Sequence, residues 1–477
     1  MSTKIPVKNL DYKSAEVYKP NTVDLYEDRK KIYVQKVTGV FQKARNFSLW
    51  FLMAMYFLFC WISIDGQQVV HFDLPNRQFH LFGTTFWPQD FVLLSWLLII
   101  CAFGLFFVTT LFGRVWCGYT CPQTVWTFIF MWLEERIEGS RNQRIKLDKG
   151  KMDRDKLVKK SLKHLSWLLV AFATGFTFVG YFYPIRELVP DFFTFSLESG
   201  WSAFWIAFFT ITTYLNAGWM REQVCLYMCP YARFQSVMFD PNTLIVSYDP
   251  GRGEPRGSRK KDVAPKAAGL GDCVDCGMCV HVCPTGIDIR DGLQYECIGC
   301  AKCIDACDSI MDKMHYPKGL ISYTTETSLD GKSSKLLRPR TIGYAAVLLL
   351  MSIAFATKLA LRDSVELEVI RDRGALFQTS ARGYIENAYT LKIVNMAKEA
   401  RTFEISVSGL EGINIVGSTE FMVQPAEVLS VPVGVEAPPD SIEDSNTDIV
   451  FYVQPKDGSD DVFDVESRFL GPAPNRY

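Results

Sequence analysis

The spacing of the cysteines constrains this chain more than any other feature of its sequence. Eight of the 14 cysteines lie between Cys273 and Cys307, in the order Cys-x-x-Cys-x-x-Cys-x-x-x-Cys, which occurs twice. Three thiolates at this spacing can hold three corners of a cubane [4Fe–4S] cluster, and the fourth, more distant cysteine of each set reaches the other cluster. The sequence therefore predicts two clusters. The predicted ligands are Cys273, Cys276, Cys279 and Cys307 for the first, and Cys297, Cys300, Cys303 and Cys283 for the second.

The segment around these cysteines resembles the bacterial two-cluster ferredoxins, which implies a small α+β module. It departs from them in one respect, because the proline that follows the first set as Pro284 is replaced after the second set by Asp308. A pair of zinc sites is the alternative, but zinc does not require a third cysteine at this spacing. A ferredoxin of this kind carries single electrons, so electron transport is the expected role.

Five stretches of the chain are apolar enough to cross a membrane as helices. A span needs about 20 apolar residues, since each helical residue rises about 1.5 Å. Four stretches contain no charged residue, and the fifth is uncharged up to Lys358, whose amine can extend to the interface. We expect a multi-domain membrane protein with a five-helix transmembrane region. The predicted spans are residues 47–64, 91–112, 165–183, 201–219 and 341–361.

The distribution of Lys and Arg predicts the orientation in the membrane. Residues 1–46, 113–164 and 220–340 carry ten, twelve and sixteen of them, whereas residues 65–90 and 184–200 carry one each. Basic segments stay on the cytoplasmic side, so the N-terminus and the clusters are expected there and the C-terminal region in the periplasm. The N-terminal segment lacks the apolar core of a signal peptide. We therefore expect a multi-pass protein of the bacterial inner membrane.

Four further cysteines form two pairs where the second and fourth predicted spans end. Cys117 and Cys121, like Cys225 and Cys229, have the form Cys-x-x-x-Cys-Pro, with tyrosine two residues before the second cysteine. The residue before a proline avoids the α region, whereas proline itself suits the first turn of a helix. Each pair is therefore expected at a bend, with a new helix that begins at the proline.

The residue types around these pairs favour a metal-handling role over simple packing. Arg114 and Arg221 precede the two pairs, and both a nearby arginine and a helix N-terminus favour the thiolate form. Thiolates prefer Cu(I), so we hypothesise that the four cysteines bind copper, as ion or substrate, and act as a catalytic site for its reduction. A zinc site or a redox-active disulfide is the alternative. Cys60 and Cys101, inside predicted spans, are interpreted as small apolar residues.

The C-terminal region has a different pattern. Short segments rich in β-branched residues, separated by turn signals, predict an immunoglobulin-like β-sandwich without cysteine or histidine. The clearest predicted strands are residues 389–394, 403–407, 428–435 and 449–453. We expect this domain to have a structural role or to serve as a docking module.

These patterns divide the chain into an N-terminal cytoplasmic segment, a membrane region that contains both cysteine pairs, the two-cluster module between two linkers, a last span and the periplasmic domain. The predicted boundaries are 1–46 for the N-terminal segment, 47–248 for the membrane region, 249–271 for the first linker, 272–318 for the two-cluster module, 319–340 for the second linker, 341–361 for the last span and 362–477 for the periplasmic domain.

Together these motifs resemble the CcoG/FixG/RdxA family, accessory proteins of cbb3-type cytochrome c oxidase assembly, over nearly the whole chain. The resemblance implies a cytoplasmic copper reductase that converts Cu(II) to Cu(I) for oxidase maturation, with Cys117, Cys121, Cys225 and Cys229 as the copper-handling residues. The implied partners are the lipid bilayer, oxidase assembly factors or copper carriers, and an unidentified electron donor. A homodimer is compatible with this role.

Two other functions fit the same motifs. A membrane electron carrier of the NapH type would take electrons from quinol or a soluble donor and needs no metal at the four cysteines. A non-catalytic assembly scaffold would bind a client through the outer domain. The net charge of −1 argues against nucleic acid as a partner. The chain has no G-x-S-x-G, P-loop or H-E-x-x-H motif, and no facing histidines inside the predicted spans to hold a b-type haem.

Overall fold

The computed structural model describes residues 31–64, 66–194, 200–260, 265, 269–361, 365–396, 399–425, 427–456 and 462–472. The first 30 residues of the predicted N-terminal segment and parts of the linker 249–271 lie outside this description. Its helices are α1 Val40–Leu58, α2 Phe91–Phe112, α3 Val115–Tyr119, α4 Pro122–Glu138, α5 Arg141–Lys149, α6 Arg154–Val179, α7 Ile185–Phe193, α8 Gly200–Thr213, α9 Pro230–Met238, α10 Pro250–Gly253, α11 Met278–His281, α12 Lys302–Met314, α13 Glu326–Leu329 and α14 Pro339–Ala360.

Three helices of the described chain, α2, α6 and α14, are long and apolar enough to cross a membrane. They correspond to the second, third and fifth predicted spans and indicate membrane association. The other two stretches do not form single long helices. The stretch 47–64 is helical only to Leu58 and ends in a strand, and the stretch 201–219 is α-helical to Thr213 and continues as a π-helix over Tyr214–Met220.

Both interruptions coincide with local contacts. The residues after α1 pair as strands. In the π-helical segment, a Cβ on Gly218 would lie 3.1 Å from the Trp167 ring and 3.3 Å from the Phe130 ring.

The chain between α1 and α2 forms two small antiparallel sheets, β1 with β2 and β3–β4–β5. Their strands are β1 Ser63–Ile64, β2 Gln67–Gln68, β3 Val70–Asp73, β4 Gln78–Leu81 and β5 Thr84–Phe86.

The module around the eight cysteines has a two-stranded sheet that lies outside the predicted boundaries 272–318. Strand β6 (Ile245–Tyr248) pairs antiparallel with β7 (Ile321–Thr324), and both pack against α12. The strands come from the flanking segments, which gives the module a covered apolar core.

The module also holds the start of α1. Asp305 of α12 is 6% exposed, and its carboxylate accepts hydrogen bonds from the backbone N–H groups of Phe41 (3.2 Å) and Gln42 (2.7 Å). A carboxylate at a helix N-terminus satisfies unpaired N–H groups and the helix dipole. Helix α1 therefore begins on the cluster module.

A second buried carboxylate joins the segments that carry the two cysteine pairs. Glu134 of α4 is fully buried, and its carboxylate lies 2.6 Å from Arg221, 3.5 Å from Lys31 and 3.9 Å from Arg144. Burial alone would raise the pKa of Glu134, but these cations lower it to about 2. The carboxylate is therefore ionised at neutral pH, and its stabilising effect is lost only as the pH falls from about 4 towards 2.

The C-terminal domain is the predicted β-sandwich. One sheet has the order β12-β14-β10-β8, with β9 beside β10, and the other has the order β13-β11-β15-β16. The four clearest predicted strands lie within β10, β11, β14 and β15, and side chains from both sheets share one apolar core. The strands are β8 Val365–Arg371, β9 Gln378–Thr379, β10 Ile385–Asn395, β11 Arg401–Ser408, β12 Asn414–Val416, β13 Glu420–Val423, β14 Val428–Ala437, β15 Asn446–Pro455 and β16 Phe463–Leu470.

Replacing Glu134 with Ala should destabilise the protein by about 3–5 kcal/mol, because it leaves buried cations without their counter-charge. The matched control is Glu135→Ala. The Glu135 carboxylate is partly exposed, lies 3.8 Å from Lys36, and should contribute less than about 1 kcal/mol. Thermal unfolding of both variants in detergent measures the difference, and equal melting temperatures would contradict this account.

Candidate cluster sites and membrane-face cysteines

The structure gathers the eight module cysteines around two separate cavities. One is lined by Cys273, Cys276, Cys279 and Cys307, by the apolar side chains of Val274, Met278, Ile310, Met311, Leu320 and Ile321, and by Tyr248 and Arg290. Most of this lining is apolar, which suits an iron–sulfur cluster, and Cys276 is exposed to solvent.

The second cavity is lined by Cys283, Cys297, Cys300 and Cys303, with Val246, Ile287, Ile289 and Ile298 around them, and Cys279 also reaches it. Apart from that shared residue, the two groups are the same sets that the spacing predicts. The fourth cysteine of each set therefore lies beside the other set of three, as in an interlocked pair of clusters.

The two cysteine loops repeat one backbone conformation. Left-handed residues flank the middle cysteine of each set, Asp275 (φ 51°) and Gly277 (φ 66°) in the first loop, and Gly299 (φ 65°) and Ala301 (φ 56°) in the second. Alternation of right- and left-handed residues turns backbone N–H groups into a concavity that receives anionic groups, including iron–sulfur clusters. Sequence reasoning did not predict this conformation at Asp275 or Ala301, because a positive φ is uncommon at residues other than glycine.

The paired cysteines lie at the predicted bends. Cys121 precedes α4 and Cys229 precedes α9, so the prediction that a helix begins at each proline is confirmed. Cys117 lies in α3, and Cys225 lies in a short π-helical segment, Val224–Met228.

These four cysteines form one neighbourhood that joins the two repeats. All three of the other cysteines raise the pKa of Cys117, so they lie near it. The Cys117 thiol donates a hydrogen bond to Gln235 Oε1 of α9 at 3.3 Å. Among the described residues, however, no three of the four sulfur atoms lie within 4.8 Å of one another. The quartet is therefore assembled but more open than a closed tetrahedral site.

Arg114 favours the thiolate form of Cys117 and Cys225, as expected, but burial has the larger effect and raises the pKa of both thiols to about 12. Arg114 points to backbone carbonyls, and Arg221 is paired with Glu134 instead. Sequence proximity did not reveal these stronger partners.

The first cysteine pair packs directly on the module. A Cβ on Gly118, the residue after Cys117, would lie 2.9 Å from Cα of Cys300, and a Cβ on Gly299 would lie 3.0 Å from the backbone of Arg114. Arg114 also donates to the Cys297 carbonyl at 3.1 Å. Backbone therefore meets backbone between the first cysteine pair and the loop of the second cavity.

Two further side chains fix that loop. The guanidinium of Arg45, which is 2% exposed, donates to the Cys300 carbonyl, and the Tyr323 hydroxyl donates to the Gly299 carbonyl at 2.6 Å. Sequence reasoning missed Arg45, Tyr323 and Gly118. Of these three residues, only Gly118 could have been suspected from the sequence, since a glycine between two cysteines can mark a close approach of two backbone segments.

Comparison with known proteins agrees with this architecture. A family model described as a 4Fe–4S dicluster domain matches residues 220–326, and one described as a 4Fe–4S binding domain matches residues 94–137. A third, described as an immunoglobulin-like fold at the C-terminus of FixG, matches residues 355–472.

The similar proteins cover most of the chain. It is 36% identical to the nitrogen fixation protein FixG of Rhizobium meliloti over 446 residues, 86% of this chain and 84% of the relative. It is 39% identical to protein RdxA of Cereibacter sphaeroides over 431 residues, 87% of this chain and 88% of the relative. The crystal structure of a FixG-related protein from Vibrio parahaemolyticus covers 23% of this chain and 96% of that chain, at 34% identity and a TM-score of 0.21.

The fold, the cysteine-lined cavities and the apolar helices define a membrane-associated iron–sulfur electron-transfer protein with 4Fe–4S domains and an immunoglobulin-like tail. The chain belongs to the FixG/RdxA family, which is the family that its motifs resemble.

The close approach at Gly118 predicts a selective effect. Gly118→Ala should alter the electron paramagnetic resonance signal of one reduced cluster, because the added methyl group displaces the Cys300 loop, and should leave the other signal unchanged. Gly104→Ala is the control, since a Cβ there meets no atom within 4 Å. Unchanged signals in both variants would contradict the contact.

Proposed function

We propose that the protein is a copper reductase of the bacterial inner membrane, which reduces Cu(II) to Cu(I) at Cys117, Cys121, Cys225 and Cys229. In this proposal the Cu(I) supports the assembly of a cbb3-type cytochrome c oxidase. The observation that carries the proposal is the direct backbone contact of the Cys117-Gly118 segment with the Cys300 loop. That contact supports electron transfer from a cluster site to the cysteine quartet.

The proposed cluster ligands are the two cysteine sets that line the two cavities. Each cluster, when bound, supplies one electron at a time. The protein provides a mostly apolar lining, and the left-handed turns supply backbone N–H groups that would donate hydrogen bonds to a bound cluster. The two cavities share Cys279, so the two proposed cluster sites are adjacent, and the second of them lies beside Gly118.

The quartet suits copper as the substrate because thiolates favour Cu(I) over Cu(II). Reduction of one Cu(II) consumes one electron and transfers no atom, so the protein needs only to bind the ion and hold it near the electron source. The thiols lose their protons when they bind the ion. Gln235, which contacts Cys117, positions that sulfur from the helix that follows the second cysteine pair.

The proposed topology has five spans, with the clusters on the cytoplasmic side and the immunoglobulin-like domain in the periplasm. The basic segments around the module support this orientation through the positive-inside rule. Oxidase assembly factors or copper carriers would receive the Cu(I), and a separate donor would supply the electrons.

Serine at all four quartet positions should lower Cu(I) formation at least about 10-fold and leave both clusters in place, because copper loses its soft ligands. The chemically reduced protein receives Cu(II) without oxygen, and a chromogenic chelator reports Cu(I) while absorbance follows cluster oxidation. Cys101→Ser is the matched control, since Cys101 lies exposed on α2, away from the quartet. Equal rates in wild type and quartet variant would refute the proposed site.

A second candidate is a membrane electron carrier which, unlike the carrier without metal at the four cysteines, uses the quartet for iron–sulfur chemistry. The 4Fe–4S binding domain match to residues 94–137 includes Cys117 and Cys121, and the open spacing of the four sulfur atoms favours it as well. Iron analysis of the same quartet variant separates the two functions. Under copper reduction the iron content stays the same, whereas the alternative predicts a loss of about four irons per chain.

The proposed division of ligands predicts which cysteine variants resemble each other. Cys307→Ser and Cys273→Ser should leave the same remaining cluster, and Cys283→Ser and Cys297→Ser should leave the other one. Low-temperature electron paramagnetic resonance of the reduced variants distinguishes the two remnants. If Cys307→Ser instead matched Cys297→Ser, each cluster would be held by one continuous set of four cysteines.

A further inference from the structure

A cluster of metal-ligand side chains lies in the small sheet between α1 and α2, and none of the functions above uses it. His71 and Asp73 alternate along β3, so both project from the same face of the strand. His80 of β4 is the direct cross-strand partner of His71. The sheet therefore places two imidazoles and one carboxylate on one face.

The three side chains have donor atoms close enough to share one ion. One ligand atom from each of His71, Asp73 and His80 lies within 4.8 Å of the other two, and no other such group of three occurs in the described part of the chain. The two imidazole rings are nearly parallel, with centroids 5.8 Å apart. His80 is 7% exposed, so its side chain is buried in the folded structure and does not lie on a freely moving loop.

The hydrogen bonds at this group leave a ring nitrogen of each histidine available as a metal ligand. His71 Nε2 is buried and has no hydrogen-bond partner, which is uncommon for a buried polar atom and needs an explanation. His80 Nδ1 lies 2.9 Å from the hydroxyl of Thr85 on β5, which fixes the ring and leaves its other nitrogen available. A histidine whose second nitrogen is held in this way is the usual arrangement at metal sites.

The rest of the sheet makes this group rigid. Asp73 accepts hydrogen bonds from the backbone N–H (3.0 Å) and the side-chain amide (2.8 Å) of Asn76. On the opposite face Phe72 packs against Phe182, with ring centroids 5.4 Å apart, and its N–H donates to the Tyr181 carbonyl at 2.8 Å. The hairpin is thus anchored to the chain that follows α6, and the ligand face is free of that packing.

We propose that His71, Asp73 and His80 form a binding site for a divalent transition-metal cation. Two imidazoles and one carboxylate suit Cu(II) or Zn(II), and Cu(II) has the highest affinity for nitrogen and oxygen ligands among the first-row divalent ions. The site is distinct from the cysteine quartet, because the two lie beyond opposite ends of α2, a helix about 33 Å long. It binds the oxidised ion, whereas the soft quartet favours the reduced one.

The test uses the full chain in detergent with serine at the four quartet cysteines and with its clusters oxidised, so that added Cu(II) is not reduced. Cu(II) is the probe. The expected result is one tightly bound Cu(II) per chain, with electron paramagnetic resonance hyperfine structure from two imidazole nitrogens. His71→Asn should abolish this signal, and His315→Asn, outside the sheet, should retain it.

A second variant guards against a general loss of structure. Thr85→Val removes the hydroxyl that holds His80 and should weaken Cu(II) binding about 10–100-fold while cluster absorbance stays unchanged. Retention of the full signal and affinity in His71→Asn would overturn the proposal. A signal without nitrogen hyperfine structure in the parent protein would do the same.

Discussion

The contact between the Cys297–Cys300 loop and the end of the first cysteine pair is the constraint on which the rest of the structure depends. Gly118 and Gly299 have no room for a side chain, because a Cβ on either residue would lie about 3 Å from the backbone across the contact. Arg45 and Arg114 then bind carbonyls of the same loop. A cluster site is thereby held rigidly at the ends of apolar helices.

Buried charges maintain this arrangement where the helices meet the module. Asp305 holds the first turn of α1, and Glu134 joins α4 to Arg221, next to the second cysteine pair. Lys302 is 8% exposed and lies over the Phe128 ring at 4.6 Å, beside the second cavity. Loss of Asp305 or Glu134 would be costly, because it would leave buried polar or charged partners unpaired.

The structure separates two kinds of ligand along α2, nitrogen and oxygen ligands at one end and sulfur ligands at the other. Imidazole and carboxylate groups lie before its first residue, and thiols and the cluster cavities lie after its last. The alternation of β3 brings His71 and Asp73 to one face, and cross-strand pairing adds His80. No sequence motif predicts this group, because its three members come together only through the register of a hairpin.

The sequence by itself determined the family, both groups of cysteines, the helix starts at Pro122 and Pro230, and the β-sandwich, because these depend on local spacing and alternation. It overestimated the regular length of two apolar stretches, since hydropathy does not detect a strand after α1 or a π-helix beside Trp167. Only the tertiary structure decided which charges pair, that burial outweighs Arg114 at Cys117, and that the first cysteine pair packs against the loop of the second cavity. Those outcomes depend on distances between residues far apart in the chain, and spacing along the sequence does not encode them.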